Sequence, residues 1–363
     1  MDSDQWRQIH PDFKWNGQRY SKKQLLCLSD HYRQSKTPHL QEIGRFFIAW
    51  LDDRQQIEVQ TSGSTGAPQK MSVKKQYMVN SAMATNKFFD LPAKTTALLC
   101  LPATYIAGKL MLVRALVLGW EMDSVRPQSN PLNALQKTYD FCAMTPYQLQ
   151  HSFVKLHHIK KIMVGGGMLS KTLFQRLQSL PSKIYETYAM TETLTHIAAR
   201  QINGLTKPQL PPFRLLDQVS ITQDKQHCLI IKAPKVSEKI IHTHDIVELV
   251  SPTQFYLKGR LDNVINTGGI KVHPEEVEQQ LGPYINTRFF VYGITDEVLG
   301  EKVVLFIEGN PNQEELQALR QHIKGSTTLG PYQRPKEIFT LQHFVETHSG
   351  KIKRQATANL IHS

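Results

Sequence analysis

The hydrophobic positions of this chain form two kinds of pattern. Nearly continuous apolar runs, typical of buried strands, occur at residues 96–101, 159–164, 228–231 and 289–292. Between some of these runs lie longer stretches with apolar residues at helical spacing, including residues 110–118 and 173–180. Strands that alternate with helices predict an α/β fold.

The pattern changes in the second half of the chain. Near residue 208 the sequence becomes rich in proline and in short strand-and-turn stretches, which predicts a small β-rich portion that completes the first domain. Beyond Gly259, a proline and acidic residues after His273 predict a helix start, and residues 313–324 have an amphipathic helical pattern. We therefore expect a large N-terminal domain at residues 1–258 and a smaller, α+β C-terminal domain at residues 263–363.

Length and composition limit the class of protein. The chain has 363 residues, of which 40% are hydrophobic, so two or three globular domains are expected. No apolar run is long enough to span a bilayer, and the first residues lack the basic and apolar regions of a secretory signal. These features predict a cytoplasmic protein with no membrane span.

Charge and cysteine content narrow the choice of ligand. The net charge of +12 attracts anions, but the lysines and arginines are scattered and form no nucleic-acid-binding motif. The four cysteines lie far apart without zinc-like spacing, which predicts reduced thiols rather than disulfides or a metal site. Small anionic ligands are therefore expected, and nucleic acid is not.

A glycine- and hydroxyl-rich loop occupies residues 61–70, between a strand-like run at residues 56–60 and a helix-like segment from about Gln76. Glycines allow the backbone N–H groups to approach an anion, and small hydroxyls add donors, so the loop predicts a phosphate site. It lacks the P-loop spacing, because Lys70 lies four residues beyond Gly66 and precedes Met71. The alternative is a connector that binds nothing. The candidate phosphate ligands are Thr61, Ser62, Gly63, Ser64, Thr65, Gly66 and Lys70.

A second candidate segment, residues 185–193, brings together an aromatic ring, a hydroxyl and a carboxylate. Tyr188 could cover a purine face, Thr191 could donate to a phosphate, and Glu192 could hold Mg²⁺, which prefers oxygen ligands. The alternative interpretation is an ordinary polar loop with one core tyrosine.

Three further segments carry candidate chemistry. Asp245 and Arg260 could bind a ribose and a phosphate, and Gly268 and Gly269 allow close approach by a ligand. Near the C-terminus, Lys351 follows a glycine in a basic stretch. A salt-bridged turn and a solvated basic tail are the alternatives for these segments.

Taken in order, these segments resemble the adenylate-forming superfamily of acyl- and aryl-CoA synthetases, luciferases and nonribosomal adenylation domains. The resemblance covers residues 56 to the C-terminus and rests on the phosphate loop, the segments 188–192, 243–245 and 259–262, and Gly350-Lys351. It implies a hinge at residues 259–262 and an ATP-dependent ligase that uses Mg²⁺ and coenzyme A.

The resemblance also implies roles for individual residues. Lys351, Thr191 and Glu192 would be catalytic, with Glu192 holding Mg²⁺. ATP would be bound by the loop residues, by Tyr188 at adenine, and by Asp245 and Arg260 at ribose. The turn formed by Gly165, Gly166 and Gly167 would line the adenine and acyl pockets, where a side chain would block close packing. Gly268 and Gly269 would lie along the pantetheine arm of coenzyme A.

The sequence departs from the family pattern at three places. Gln69 displaces the loop lysine by one position, and Ala189 and His244 replace glycines of the family. Only about 60 residues precede the phosphate loop, which is short for the family and implies a trimmed lobe.

Residues 101–114 occupy the place of the family's acyl-site motif, with Tyr105 at the histidine position. This run and residues 190–196 are similar to the o-succinylbenzoate-CoA ligases of menaquinone synthesis, which also carry an arginine at the position of Arg114. On an apolar helix, an arginine either extends to solvent or pairs with an anion such as a second substrate carboxylate. The implied acid-binding residues are Tyr105, Lys109, Arg114, Gly167 and Thr195.

The resulting hypothesis is formation of a CoA thioester through an acyl-adenylate, with o-succinylbenzoate as the acid. Three alternatives stay open: another aryl- or fatty-acyl-CoA ligase, an adenylation enzyme that loads a carrier protein, or a nucleotide-binding relative without turnover. The expected partners are the acid, ATP and coenzyme A, and a homo-oligomer is compatible with the sequence.

Overall fold

The structure is a computed structural model that describes residues 5–60, 70–167, 169, 171–205, 210–346 and 352–362. The α-helices of these residues are α1 (Lys22–Gln34), α2 (Pro38–Leu51), α3 (Lys75–Phe89), α4 (Ile106–Leu118), α5 (Pro146–His151), α6 (Lys171–Leu177), α7 (Pro274–Leu281), α8 (Gln313–Gly325) and α9 (Arg354–Ala358). Within the described residues, no helix is long and apolar enough to cross a membrane.

The strands of the first half are β1 (Lys14–Trp15), β2 (Gln56–Gln60), β3 (Lys70–Lys74), β4 (Thr96–Leu99), β5 (Glu121–Ser124), β6 (Tyr139–Met144), β7 (Ile159–Val164), β8 (Lys183–Ala189) and β9 (His196–Gln201). Those of the second half are β10 (Phe213–Leu215), β11 (Ser220–Gln223), β12 (Cys228–Lys232), β13 (Ile241–Ser251), β14 (Gln254–Arg260), β15 (Ile265–Thr267), β16 (Ile270–Val272), β17 (Phe289–Asp296), β18 (Gly300–Glu308) and β19 (Glu337–Leu341).

One large sheet organises the first part of the molecule, in the order β1-β5-β4-β6-β7-β8-β9-β10-β14-β13-β12-β11. The pairs from β1 to β8 are parallel, and the pairs from β8 onward are antiparallel. The predicted α/β class is confirmed. The β-rich portion is also present, but it begins at β9 and continues the same sheet.

The N-terminal helices pack on the core through one face of α2. Ile43, Phe46, Phe47 and Trp50 follow the i, i+3, i+4, i+7 spacing of an apolar helical face, and all four are buried. The fully buried Lys75, the first residue of α3, links that helix to the end of α2 through hydrogen bonds. Its Nζ donates to the carbonyl oxygens of Trp50 and Asp52, at 2.9 Å each, and pairs with the Asp52 carboxylate at 2.9 Å.

A second sheet lies near the C-terminus, in the order β16-β15-β18-β17, with β19 parallel to β18. Glu278 of α7 is buried there. Its carboxylate accepts hydrogen bonds from the Val291 N–H at 2.8 Å and from Arg354 Nη2 at 3.0 Å. This ion pair fixes the start of α9, three residues after Lys351. The placement of the domain boundary at residues 259–262 stays a prediction.

Candidate functional site

The sequence-predicted site residues of the large sheet lie where parallel strands end. Tyr105 follows β4, Gly166 and Gly167 follow β7, and Thr191 and Glu192 follow β8. The carboxyl ends of parallel strands meet at one edge of a sheet, and ligands of α/β proteins bind in the crevice there. The topology therefore brings together residues that are far apart in the sequence.

Tyr188, Asp245 and Arg260 form one hydrogen-bonded cluster. The Tyr188 hydroxyl donates to Asp245 Oδ2, and Arg260 Nη1 lies 3.4 Å from Asp245 Oδ1. Burial, followed by the nearby Asp245 charge, raises the pKa of Tyr188. Its ring packs edge-on against Phe255, with centroids 5.3 Å apart. In this structure Tyr188 holds Asp245 in place, and its predicted contact with adenine stays a prediction.

The predicted hinge is tied to the same cluster. Arg260 Nη2 donates to Asp262 Oδ2 at 2.9 Å, and His244 Nδ1 lies 2.7 Å from Asp262 Oδ1. Burial raises the pKa of Asp262, but the hydrogen bonds from Arg260 and His244 outweigh it and leave that pKa below its usual value. Arg260 thus contacts both Asp245, the predicted ribose ligand, and Asp262 in the predicted hinge.

Thr191 and Glu192 begin a short 3-10 helix, and both are exposed. The turn ends at Leu194, a buried residue with a φ of 64°, and such backbone conformations are costly outside glycine. Within the described residues, no group of three or more His, Cys, Asp or Glu side chains could hold a metal. Glu192 is a hard oxygen ligand, so it fits Mg²⁺ when nucleotide phosphates supply the other ligands.

The glycines around the candidate site differ in what a side chain at each position would meet. Gly166 has a φ of 87°, while a Cβ there would meet no atom within 4 Å, so backbone conformation requires the glycine. A Cβ on Gly167 would make only ordinary contact with Pro146 at 3.5 Å, whereas one on Gly165 would lie 2.6 Å from Thr187 Oγ1. Protein atoms alone would therefore block a side chain at Gly165, and the expectation that side chains at the other two glycines would block a ligand stays a prediction. Gly268 and Gly269 form the turn between β15 and β16.

The predicted phosphate loop lies in the sequence between β2 and β3, which pair antiparallel. Thr61, Ser62, Gly63, Ser64, Thr65 and Gly66 lie outside the described residues. Lys70 begins β3, is exposed, and lies 3.9 Å from Glu58. Gln60 forms a parallel bridge with Tyr105, and Lys109 Nζ donates to the Glu58 carbonyl oxygen at 2.8 Å. The start of α4 is thereby attached to the strand that leads into the loop.

Arg114 lies on α4 and is 1% exposed, so it does not extend to solvent. Its Nε donates to Thr85 Oγ1 at 3.2 Å, and within the described part of the chain it pairs with no carboxylate. Burial lowers the pKa of Arg114 to about 9. The core therefore contains a guanidinium whose charge no described residue balances.

Hydroxyl groups and the Ser81 backbone connect Arg114 to a histidine that the sequence reasoning missed. Thr85 donates to the Ser81 carbonyl oxygen at 2.8 Å, and Ser81 Oγ donates to Thr195 Oγ1 at 2.7 Å. Thr195 Oγ1 lies 3.4 Å from His196 Nδ1. The only sequence signal was the histidine at the end of the 190–196 run, since Ser81 and Thr85 lie on a helix more than 100 residues earlier.

Lys351 lies outside the described residues, but those on either side are fixed. Glu346 and Ile352 form an antiparallel bridge, and the Lys353 N–H donates to the Val345 carbonyl oxygen at 2.8 Å. Arg354 then pairs with Glu278. The two ends of the segment that carries Lys351 are thus held together.

Sequence and structure comparisons find relatives across nearly the whole chain. A structure from Dyadobacter fermentans, an acyl-CoA synthetase (AMP-forming)/AMP-acid ligase II-like protein, has 30% identity and a TM-score of 0.61, covering 94% of this chain and 99% of that one. The 2-succinylbenzoate–CoA ligase of Listeria monocytogenes is 25% identical over 329 residues, or 81% of this chain and 68% of the ligase. The Escherichia coli enzyme of that name is 24% identical, covering 88% and 72%.

The o-succinylbenzoate coenzyme A synthetase of Bacillus subtilis, solved with ATP and magnesium, shares the fold with a TM-score of 0.70 at 19% identity, over 83% of this chain and 69% of that protein. Residues 59–215 match the sequence family described as AMP-binding enzyme, and residues 275–351 match the AMP-binding enzyme C-terminal domain. The resemblance predicted from the motifs is confirmed, and the chain belongs to the adenylate-forming family of AMP-binding enzymes.

Proposed function

We propose that this protein is an ATP-dependent acid–thiol ligase that converts a dicarboxylic aryl acid, o-succinylbenzoate, into its CoA thioester. Family membership supports adenylate chemistry. The choice of acid rests on one observation, the buried and unbalanced Arg114, and is supported by relatives that are named 2-succinylbenzoate–CoA ligases.

The argument from Arg114 is electrostatic. A buried charge without a partner is costly, and a ligand carboxylate that pairs with it offsets that cost. Arg114 lies nine residues along α4 from Tyr105, or about 13 Å. An acid whose reacting carboxylate lies near the phosphate loop therefore needs a second anionic group at its far end to reach Arg114. A dicarboxylate has that group, and benzoate or a fatty acid does not.

In the first half-reaction, an oxygen of the aliphatic carboxylate attacks the α-phosphorus of ATP. The bond from that phosphorus to the bridging oxygen breaks, and pyrophosphate leaves. Asp245 and Arg260 would hold the ribose, Thr191 the α-phosphate, and Lys351 the charge that develops on the phosphoryl and acyl oxygens. Glu192 would hold Mg²⁺, which neutralises phosphate charge when bound.

In the second half-reaction, the CoA sulfur attacks the acyl carbon, the bond to the AMP oxygen breaks, and the thiol proton passes to solvent. Lys351 is needed only for the first step. Rotation of the C-terminal domain about Asp262 would withdraw it and bring Gly268 and Gly269 to the pantetheine arm. The turn position of these glycines is compatible with that role.

The test compares CoA-thioester formation from o-succinylbenzoate, benzoate and octanoate by the wild type and by Arg114→Ala. We expect the wild type to prefer the dicarboxylate, and the variant to lose at least about 100-fold in kcat/KM for that acid, since its charge-assisted hydrogen bonds are lost. Arg45→Ala, on the exposed side of α2, is the control and should change nothing.

Other outcomes would contradict the proposal in different ways. A wild type that prefers benzoate or octanoate would be a different acyl-CoA ligase. Transfer to a carrier protein but not to CoA would make it a loading enzyme. Failure to release pyrophosphate with any acid, despite ATP binding, would indicate a relative without turnover. Unchanged selectivity in Arg114→Ala would remove Arg114 from the acid site.

A further inference from the structure

His196 has a ring nitrogen that finds no partner in the part of the chain that the structure describes. The residue is 5% exposed, and its Nε2 is buried without a hydrogen bond among the described residues. A buried polar group left in this state costs free energy comparable to a lost hydrogen bond. Such a cost at the end of an otherwise well-connected network points to a missing ligand.

The hydrogen bonds of the Thr195 hydroxyl favour one tautomer of His196. Ser81 donates to Thr195, so the Thr195 hydrogen is free to be donated to His196 Nδ1. With Nδ1 as the acceptor, the neutral imidazole carries its proton on Nε2. The unpartnered atom is then an N–H donor, and it needs an acceptor.

Arg114 belongs to the same network and also has unused donors. Among the described residues, its guanidinium makes one hydrogen bond, through Nε to Thr85. It is close enough to His196 for its positive charge to add to the effect of burial, and together these lower the pKa of His196 to about 3. Two buried and neighbouring groups from different elements, α4 and β9, therefore have N–H groups without an acceptor among the described residues.

We infer that His196 is a second ligand of the distal carboxylate, donating from Nε2 to the group that pairs with Arg114. This inference rests on the proposed function, because it assumes an acid with an anionic far end. Arg114 supplies the charge, while the neutral imidazole supplies a directed donor in the tautomer that the contacts of Thr195 and Ser81 favour. His196 would then be a specificity-determining residue that distinguishes a carboxylate from an uncharged group at that position.

The test uses a matched pair of acids, o-succinylbenzoate and 4-oxo-4-phenylbutanoate, which lacks the aromatic carboxylate. His196→Phe keeps a flat ring but removes the donor, and His196→Gln places an amide N–H near the position of Nε2. We expect His196→Phe to lower kcat/KM for the dicarboxylate about 10- to 100-fold and for the monocarboxylate less than about 3-fold. His196→Gln should recover most of the loss.

One further variant is a control, and another replaces His196→Phe if that variant does not fold. His158→Phe removes another histidine with an unpartnered ring nitrogen, away from the network, and should leave both acids unaffected. His196→Asn keeps a group near Nδ1 and withdraws the donor at Nε2, so it should reproduce the selective loss if His196→Phe does not fold, as judged by thermal melting.

The outcomes separate this inference from the proposed function. Equal losses for the two acids would show a packing role, and no loss would show no role; either result overturns the inference. A wild type without preference for the dicarboxylate would overturn the proposed function itself. A preference that is lost in Arg114→Ala but kept in His196→Phe would leave the function standing and remove His196 from the site.

Discussion

The hydroxyl of Tyr188 donates a hydrogen bond to Asp245, and this contact joins β8 to β13 across 57 positions of the sequence. Asp245 is buried, with 8% of the residue exposed, and its carboxylate also contacts Arg260. Its orientation is therefore fixed before any ligand binds, which would reduce the entropic cost of binding the ribose that we propose for this carboxylate.

Tyr188→Phe tests this preorganisation. The ring should stay packed against Phe255, while Asp245 loses one directed hydrogen bond. We expect the KM for ATP to rise about 3- to 10-fold with little change in kcat, because one hydrogen bond to a charged group is lost. Tyr256→Phe on β14 is the control. Unchanged ATP affinity by calorimetry in a folded variant would contradict the prediction.

The His244–Asp262 contact predicts a restraint on the hinge. Both side chains are at least half exposed, so the pair is weak and screened by salt. In His244→Ala, the population of the conformation described here should fall by up to about five-fold, measured from the distance between labels on the two domains. His242→Ala, two residues earlier on β13, should have no effect. If the population difference between His244→Ala and the wild type persists at 1 M salt, an ion-pair mechanism is excluded.

Lys351→Ala should separate the two half-reactions. Without the cation, we expect pyrophosphate release to fall by at least about 100-fold, since the charge of the transition state is no longer stabilised. Thioester formation from a supplied acyl-adenylate should stay within about three-fold of the wild type. Lys353→Ala provides the control. Equal losses in both steps would show that Lys351 does not act in adenylation alone.

Glu278 predicts a pH-dependent stability. Burial raises the pKa of Glu278 from 4.5 to about 7, although the Arg354 charge and the Val291 N–H act in the opposite direction. The folded state therefore binds this proton more tightly than the unfolded state, so stability is lost as pH rises from about 4.5 to about 7. Glu278→Gln keeps an acceptor for Val291 but cannot ionise.

The measurement is urea unfolding of the wild type and Glu278→Gln at pH 4.5 and pH 8. The free energy of unfolding of the wild type, taken relative to the variant, should fall by about 2–3 kcal/mol over this range. Glu276→Gln, on the same helix, is the control. If the free energy of unfolding of the wild type relative to the variant instead rises with pH, the ion pair with Arg354 outweighs the effect of burial.

The contacts of Lys75 predict that it stabilises the packing of the N-terminal helices. Lys75→Met should lower the free energy of unfolding by about 2–4 kcal/mol, because two carbonyl oxygens and the Asp52 carboxylate lose their donor. Lys74→Met removes a neighbouring lysine that pairs with Glu238 at the surface, and it should have little effect. Similar losses in both variants would show a general effect of charge.

Local pattern was sufficient to predict many elements. The run at residues 159–164 coincides with β7, and the segment before the phosphate loop coincides with β2. Each is bounded by residues that end a strand, and apolar side chains lie at the positions that become buried. The helix predicted at residues 313–324 differs from α8 by one residue.

Relationships across the sheet could not be read from the sequence. Cys100 and Cys142 are 42 positions apart, yet their sulfur atoms lie 3.6 Å apart because β4 and β6 are neighbours. The network from Arg114 to His196 likewise depends on how α3, α4 and β9 pack. The φ of 87° at Gly166 was likewise not predicted, since a backbone angle cannot be deduced from the residue type.

The bridge between Gln60 and Tyr105 has a thermodynamic consequence for the order in which substrates bind. It joins the strand that enters the predicted phosphate loop to the residue that precedes α4, so the elements that support the proposed nucleotide and acid sites share a backbone bridge. If bound ATP changes the affinity for the acid through this bridge, then bound acid changes the affinity for ATP by the same factor. An effect of one substrate on the binding of the other must therefore act in both directions.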